Sequence, residues 1–246
     1  MLVALITDIH GNREALAACL DHARRSGVGR YVFLGDYIGY GADPGWVLDT
    51  VMAHVGAGAI ALRGNHDEAV FGRDEVMNHL ARAAIRWTGE HLSSRQRDFL
   101  ARLPLAVEEG DTLFVHANAW APGDWGYVVS EVEAERSMRR TRCRVTICGH
   151  VHVPAVFHMA EREPARYFRP VAGCAIPLLP RRRWLAVIGA VGQPRDGDPS
   201  ACYALLDTDE NTLTFIRVPY DIDAAARKIL RAGLPPALAV RLYEGR

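Results

Sequence analysis

The stretch LVALITDIHGN (Leu2–Asn12) is an apolar run that ends in polar side chains, Asp8, His10 and Asn12. It reads as a buried strand that delivers a carboxylate and an imidazole just past its carboxyl end. Behind it, REALAACLDHARR (13–25) has helical periodicity and stops at Gly27. RYVFLGD (30–36) reads as a second strand, PGWVLDTVMAH (44–54) as a helix with Pro44 near its start, and GAIALRGN (58–65) as a third strand. This β-α-β-α-β order predicts a parallel α/β core, and ligands of such sheets bind beyond the carboxyl ends of the strands.

Downstream, residues 74–103 read as helical throughout, as a candidate lid or as packing on the core. AVEEGDTLFVHA (106–117) predicts a hairpin, NAWAPGDWGY (118–127) a loop and VVSEVEAERSMRR (128–140) a helix. After Arg144 the chain turns β-rich: RVTICGH, VPAVFHM, ARYFRPV, RWLAVIGA, SACYALLDT and TLTFIRVPY follow in turn. A final helix is expected from Asp221, and LPPALAVRLYEG (234–245) reads as a short tail. With no internal repeat or linker, one domain over 1–246 is expected.

The 246 residues carry no formal net charge and are 49% hydrophobic, which argues against general nucleic-acid or anionic-membrane binding. Lys228 is the only lysine. The apolar start lacks a basic leader and no run reaches spanning length, so a cytoplasmic protein without membrane contact is expected. Five scattered cysteines with no C-x-x-C suit reduced thiols and neither a disulfide frame nor a zinc knuckle.

The polar residues gather at strand ends. Asp8 and His10 follow the first strand and Asp36 the second. Asn65, His66 and Asp67 follow the third, His116 the hairpin, and His150 and His152 the run VTIC. Any one of these has an ordinary reading as a cap or a satisfied core residue. Together they form a set of oxygen and imidazole donors without a thiolate, which suits Mn, Fe, Co, Ni or Zn. They are too many for one closed tetrahedral ion, so a two-metal site is the economical reading. In the extended GHVH, His150 and His152 lie on one face, and Gly149 leaves room for a close approach.

The ordered blocks D-x-H (8–10), G-D (35–36), G-N-H-D (64–67), a lone His116 and G-H-x-H (149–152) resemble the calcineurin-like metallophosphoesterase superfamily. DIHGN, GDYIGYGADP, GNHDE and the late GAVGQPRDGDPSACYALLD are similar to its bacterial YfcE-like branch. The resemblance implies a four-layer αββα sandwich of two mixed sheets. It implies two divalent ions, one held by Asp8, His10, Asp36 and His152, the other by Asp36, Asn65, His116 and His150. Asp36 would bridge through its two oxygens, and a hydroxide between the ions would attack a phosphodiester or phosphomonoester. His66 would act at the leaving oxygen without ligating, and Asp67 would position the loop.

Serine/threonine protein phosphatases of the superfamily carry an Asp-Arg pair where this chain has Gly39 and Tyr40, which argues against that activity. A dinucleoside-polyphosphate hydrolase is the other enzymatic alternative, and a protein-binding scaffold on the same fold, which predicts lost ligands, the non-enzymatic one. Asn12, Tyr40 and Arg195 are expected substrate contacts, although Asn12 also reads as a helix start and Arg195 as a partner of Asp196 or Asp198. Trp120, Trp125 and Tyr127 read as a base-stacking wall or as simple cover. The partner expected is a small phosphate ester, with the oligomeric state open.

Overall fold

Asn12 and Pro44 start the first two helices and so set the spacing of the first three strands. The Asn12 side chain accepts from Ala15 N, and Pro44 lies at the first helical position, where its missing N–H costs nothing. In the computed structural model, which describes residues 1–72 and 77–246, the chain runs β1 (Leu2–Ile6), α1 (Arg13–Arg25), β2 (Arg30–Phe33), α2 (Pro44–Gly56), β3 (Ile60–Ala61) and α3 (Asn65–Ala69). There follow α4 (His79–Glu90), α5 (Ser94–Arg102), β4 (Ala106–Glu109), β5 (Thr112–Val115), α6 (Glu131–Arg140), β6 (Val145–Cys148), β7 (Ala155–Met159) and β8 (Arg166–Phe168). The chain ends with β9 (Ala175–Pro177), β10 (Arg183–Val187), β11 (Ala201–Asp207), β12 (Thr212–Val218), α7 (Ile222–Arg231) and α8 (Pro236–Glu244).

Two six-stranded sheets result, with orders β3-β2-β1-β11-β12-β9 and β4-β5-β6-β10-β7-β8. Both are mixed. β1 runs parallel to β2 and antiparallel to β11, and β10 runs parallel to β6 and antiparallel to β7. Val3, Leu5 and Val32 from one sheet share a buried cluster with Phe114, Ile147 and Trp184 from the other. On the outer face of the first sheet, α1, α2 and α5 bury Leu16, Val47 and Leu100 with Ile6 and Phe33. On the outer face of the second, α6 buries Met138 with Phe157 and Leu185. This is the αββα sandwich expected from the sequence.

The stretch that reads only as a short tail is in fact helical, α8. Pro235 and Pro236 hide it from a periodicity reading, yet a proline at the first helical position is compatible with a helix, and Gly245 closes it with φ 63°. α7, α8 and α4 form a fourth apolar cluster around Tyr40. The expected helical run over 74–103 divides. Asp74 to Val76 lie outside the described residues, α4 joins the Tyr40 cluster, and α5 is fastened to α2 by Gln96, which donates to Gly45 O and Asp49 Oδ1. All five cysteines are free, and only Cys174 is exposed. Among the described residues no helix is long and apolar enough to cross a membrane.

Candidate metal centre

The carboxyl ends of β1, β2, β5 and β6 and the start of α3 meet at one edge of the sandwich. Asp8, His10, Asp36 and His152 form one buried group whose potential ligand atoms lie within 4.8 Å of one another; Asp36, His116 and His150 form a second. Asn65 adds its side-chain oxygen to the second group, with Oδ1 3.2 Å from His116 Nε2. Every residue expected at a metal from the sequence is therefore brought to these two groups. Asp8, His10, Asp36, His150 and His152 all hold positive φ, between 52° and 66°, in the left-handed region that side chains disfavour, so GHVH is not the extended run expected: β6 ends at Cys148 and both histidines follow it in a loop. Gly149 is needed for a closer reason: a Cβ there would lie 2.5 Å from Asp8 Oδ2.

The hydrogen bonds around the groups fix which atoms face inward. A carbonyl only accepts, so the ring nitrogen opposite it carries the proton. His10 Nδ1 donates to Ile38 O at 3.0 Å, His152 Nδ1 to Gln193 O at 2.6 Å and His116 Nδ1 to Leu34 O at 2.9 Å. His150 donates through Nε2, to Trp125 O at 2.9 Å. The remaining nitrogens point into the groups. His10 Nε2 and His152 Nε2 stand 3.1 Å apart, and Asp8 Oδ1, buried without a hydrogen-bond partner, lies 3.3 Å from His152 Nε2. Asp8 Oδ2 is already satisfied by Thr7 Oγ1 and His150 N.

Asp36 is arranged differently from expectation. Its Oδ1 accepts from His66 N at 2.8 Å, so Oδ2 alone faces both groups, 3.7 Å from His10 Nε2 and 3.5 Å from His116 Nε2. The expected two-oxygen bridge is thus a one-oxygen arrangement, because the main chain of α3 occupies the other oxygen. In both groups acceptors crowd on acceptors, which is unfavourable unless a proton or a cation sits between them. Residues of this kind and protonation fit divalent cations. The charges respond accordingly. Burial opposes ionisation of Asp8, but His152 holds its carboxyl low. Burial would lower His116, yet Asp36 carries it up to about 9, so that a proton supplies the charge a cation would bring.

Asp67 accepts from Asp36 N, Tyr37 N and Gly64 N at 2.8–3.0 Å, so it ties the second strand end to α3. His66 lies against His10 and Tyr40, with ring centroids 4.7 and 4.6 Å away. Burial, ahead of the opposing Asp36 carboxylate, holds its imidazole down to about 4 and leaves an uncharged ring. Its Nδ1 is buried without a partner, beside Gly39, where a Cβ would lie 2.5 Å away.

Around the centre runs a cleft of about 300 Å³ lined by Asn65, His66, His150, Trp125, Tyr127 and Asn78, among others. Tyr127 stacks on His150 at 4.2 Å, and Trp125 Nε1 donates to Glu68. Trp120 instead packs under Arg136 beside α6 and takes no part in the cleft. Asn12 takes the helix-start role of its two readings: Oδ1 caps α1 and Nδ2 donates to Gly192 O. Arg195 does not pair with Asp196 or Asp198, both of which pair with Arg217. It approaches Tyr40 instead. His22, His54, His91 and His158 make ring contacts away from the centre. The main-chain carbonyls of Ile38, Leu34, Gln193 and Trp125 were not legible as site groups, since any residue supplies a carbonyl.

The whole chain is 32% identical over 251 residues to an uncharacterized protein, MJ0912, of Methanocaldococcus jannaschii, and the match covers 98% of that protein. A crystal structure of a metallophosphoesterase from Sphaerobacter thermophilus is similar with a TM-score of 0.89 and 34% identity, covering 100% of this chain and 99% of that one. A hypothetical protein, PH1004, of Pyrococcus horikoshii shares the fold, with a TM-score of 0.81, 20% identity and coverage of 100% and 98%. The calcineurin-like phosphoesterase superfamily domain matches residues 1–211, and the chain belongs to that superfamily.

Proposed function

We propose that this chain hydrolyses a phosphodiester or phosphomonoester with two divalent cations, one held by Asp8, His10, Asp36 and His152, the other by Asp36, Asn65, His116 and His150. The carrying observation is that Asp36 Oδ2 faces both groups of converging carboxylate and imidazole ligand atoms. Such ions, when bound, supply an acidified water near neutral pH and charge to offset phosphoryl oxygens. The chain's own residues do the rest. Carbonyl contacts to four imidazoles fix the rings so that their lone pairs need no reorientation. His66, touching His10 and lining the cleft, offers an N–H toward charge developing on the departing oxygen. Asp36 couples the two by holding His66 N while facing both groups. Free thiols, four of them buried, suit a reducing compartment, and the reading is of a single cytoplasmic domain acting on a small phosphate ester.

A protein-phosphatase activity is disfavoured because the Nδ1 of His66 meets Gly39 and no carboxylate. The test is a screen of protein reconstituted with Mn, Fe, Co, Ni or Zn against bis-p-nitrophenyl phosphate, p-nitrophenyl phosphate, cyclic nucleotides and dinucleoside polyphosphates. Metal content is measured on the same sample. Hydrolysis that needs added metal supports the reading. Metal-loaded protein that cleaves none of them points to the scaffold alternative.

A further inference from the structure

A second cavity, of about 480 Å³, opens beside the metal-centre cleft and shares Tyr40 and Asn78 with it. Its remaining polar lining is Arg195, Arg241, Glu244 and Arg246. The charges are not balanced. Arg246 pairs with Glu244 at 3.5 Å. Among the described residues Arg195 reaches only neutral oxygens, Gln193 Oε1 at 3.3 Å and Tyr40 Oη at 3.5 Å. The acidic residues that follow it in sequence are taken by other arginines: Asp196 by Arg217 and Arg169, Asp198 by Arg217. Arg241 has no carboxylate partner among the described residues. Two partly buried guanidinium groups in one cavity, each without a carboxylate partner among the described residues, call for an anion, and a guanidinium fork matches phosphate oxygens.

The cavity is distinct from the place of reaction. Tyr40 stands between: its ring packs on His10 and His66, while the Arg195 guanidinium carbon lies 5.9 Å from the ring centroid. Arg241 comes from α8, which lies beyond residues 1–211 matched by the superfamily domain. A segment outside the shared domain therefore completes this side of the cleft.

We infer that Arg195 and Arg241 hold a second phosphate of the substrate, so that the preferred substrate is an ester carrying at least one phosphoryl group besides the scissile one. This rests on the phosphoesterase reading, and the experiment separates the two. The probes are butyl p-nitrophenyl phosphate and its counterpart with a terminal phosphate on the butyl arm, which differ only in that phosphate. Metal-reconstituted protein should show a kcat/KM higher by about tenfold or more for the second, mainly through KM. In calorimetry, butanediol bisphosphate should likewise bind at least about tenfold more tightly than butyl phosphate. The double variant R195Q/R241Q should reduce both preferences to within about twofold, as should Ala237→Glu, which places a carboxylate at an exposed position of α8 in the same cavity. Equal rates and equal binding for the paired probes in the wild type overturn the subsite. So does a preference that survives the substitutions, and a loss of the same size on both probes, which would mean that the arginines grip the scissile phosphate itself. If no ester is cleaved but the bisphosphate preference and its loss are observed, the subsite stands and the phosphoesterase reading fails.

Discussion

The Nε2 atoms of His10 and His152 face each other at 3.1 Å, although the proton of each ring is committed to a main-chain carbonyl. A cation between them turns repulsion into coordination, and an ion that binds only the folded chain stabilises it by about 2.7 kcal/mol at a hundredfold excess over Kd. Removal of divalent ions by a chelator should therefore lower the Tm by several degrees, reversibly on adding metal back. Calorimetry with and without chelator checks this, and an unchanged Tm would argue that no ion binds there.

Metal stoichiometry should separate Asp36 from His152. Asp36 Oδ2 faces both groups and His152 only one. Asp36→Asn is expected to weaken both ions, and His152→Ala to take the content from two per chain toward one. Elemental analysis of gel-filtered protein reads this directly; identical losses in the two variants would contradict the assignment.

His66→Asn is expected to keep both ions and to lower kcat by ~10²–10⁴-fold, the usual size of a proton- or hydrogen-bond-donor contribution. The loss should be greatest for alkyl esters, whose leaving oxygen needs most help, and smaller for p-nitrophenolate. Loss of an ion from this variant would make His66 a ligand.

Gly39 has φ 82° and room for no Cβ beside His66 Nδ1. Gly39→Ala should cost ~1–3 kcal/mol through backbone strain and push the imidazole from its place. The expectation is a lower denaturation midpoint together with a kcat loss that approaches that of His66→Asn.

Lys228 joins α7 to Glu14 of α1 at 2.5 Å and to Asp43, before α2, at 2.7 Å. Lys228→Met should cost about 1 kcal/mol, since the pair is partly exposed. Burial alone would lower the ammonium pKa, but Asp43 and Glu14 carry it above 10.5. The contribution is thus complete below that pH and is lost as the pH rises through the folded value. Urea titrations should show a constant penalty at neutral pH that disappears only in strong alkali.

Much of this was legible in the sequence because the strands are short, apolar and followed at once by their functional residues. A run such as VALITDIH states both its burial and what it delivers. The one-oxygen role of Asp36 was not legible, because it depends on where the main chain of α3 falls. Nor was α8, whose start is masked by two prolines. Arg195 was misleading in the other direction: Asp196 and Asp198 sit next to it in sequence but turn toward Arg217, which comes from β12 and could not be placed beforehand.

Five of the residues at the centre hold a left-handed backbone that a side chain pays for at roughly 1–2 kcal/mol each. Glycine would relieve that strain at every one of them and would abolish a ligand each time. Laboratory evolution that rewards heat resistance alone should therefore drift toward inert, hardier proteins through these positions first, and a screen that retains turnover as a second criterion should find its gains elsewhere in the sandwich.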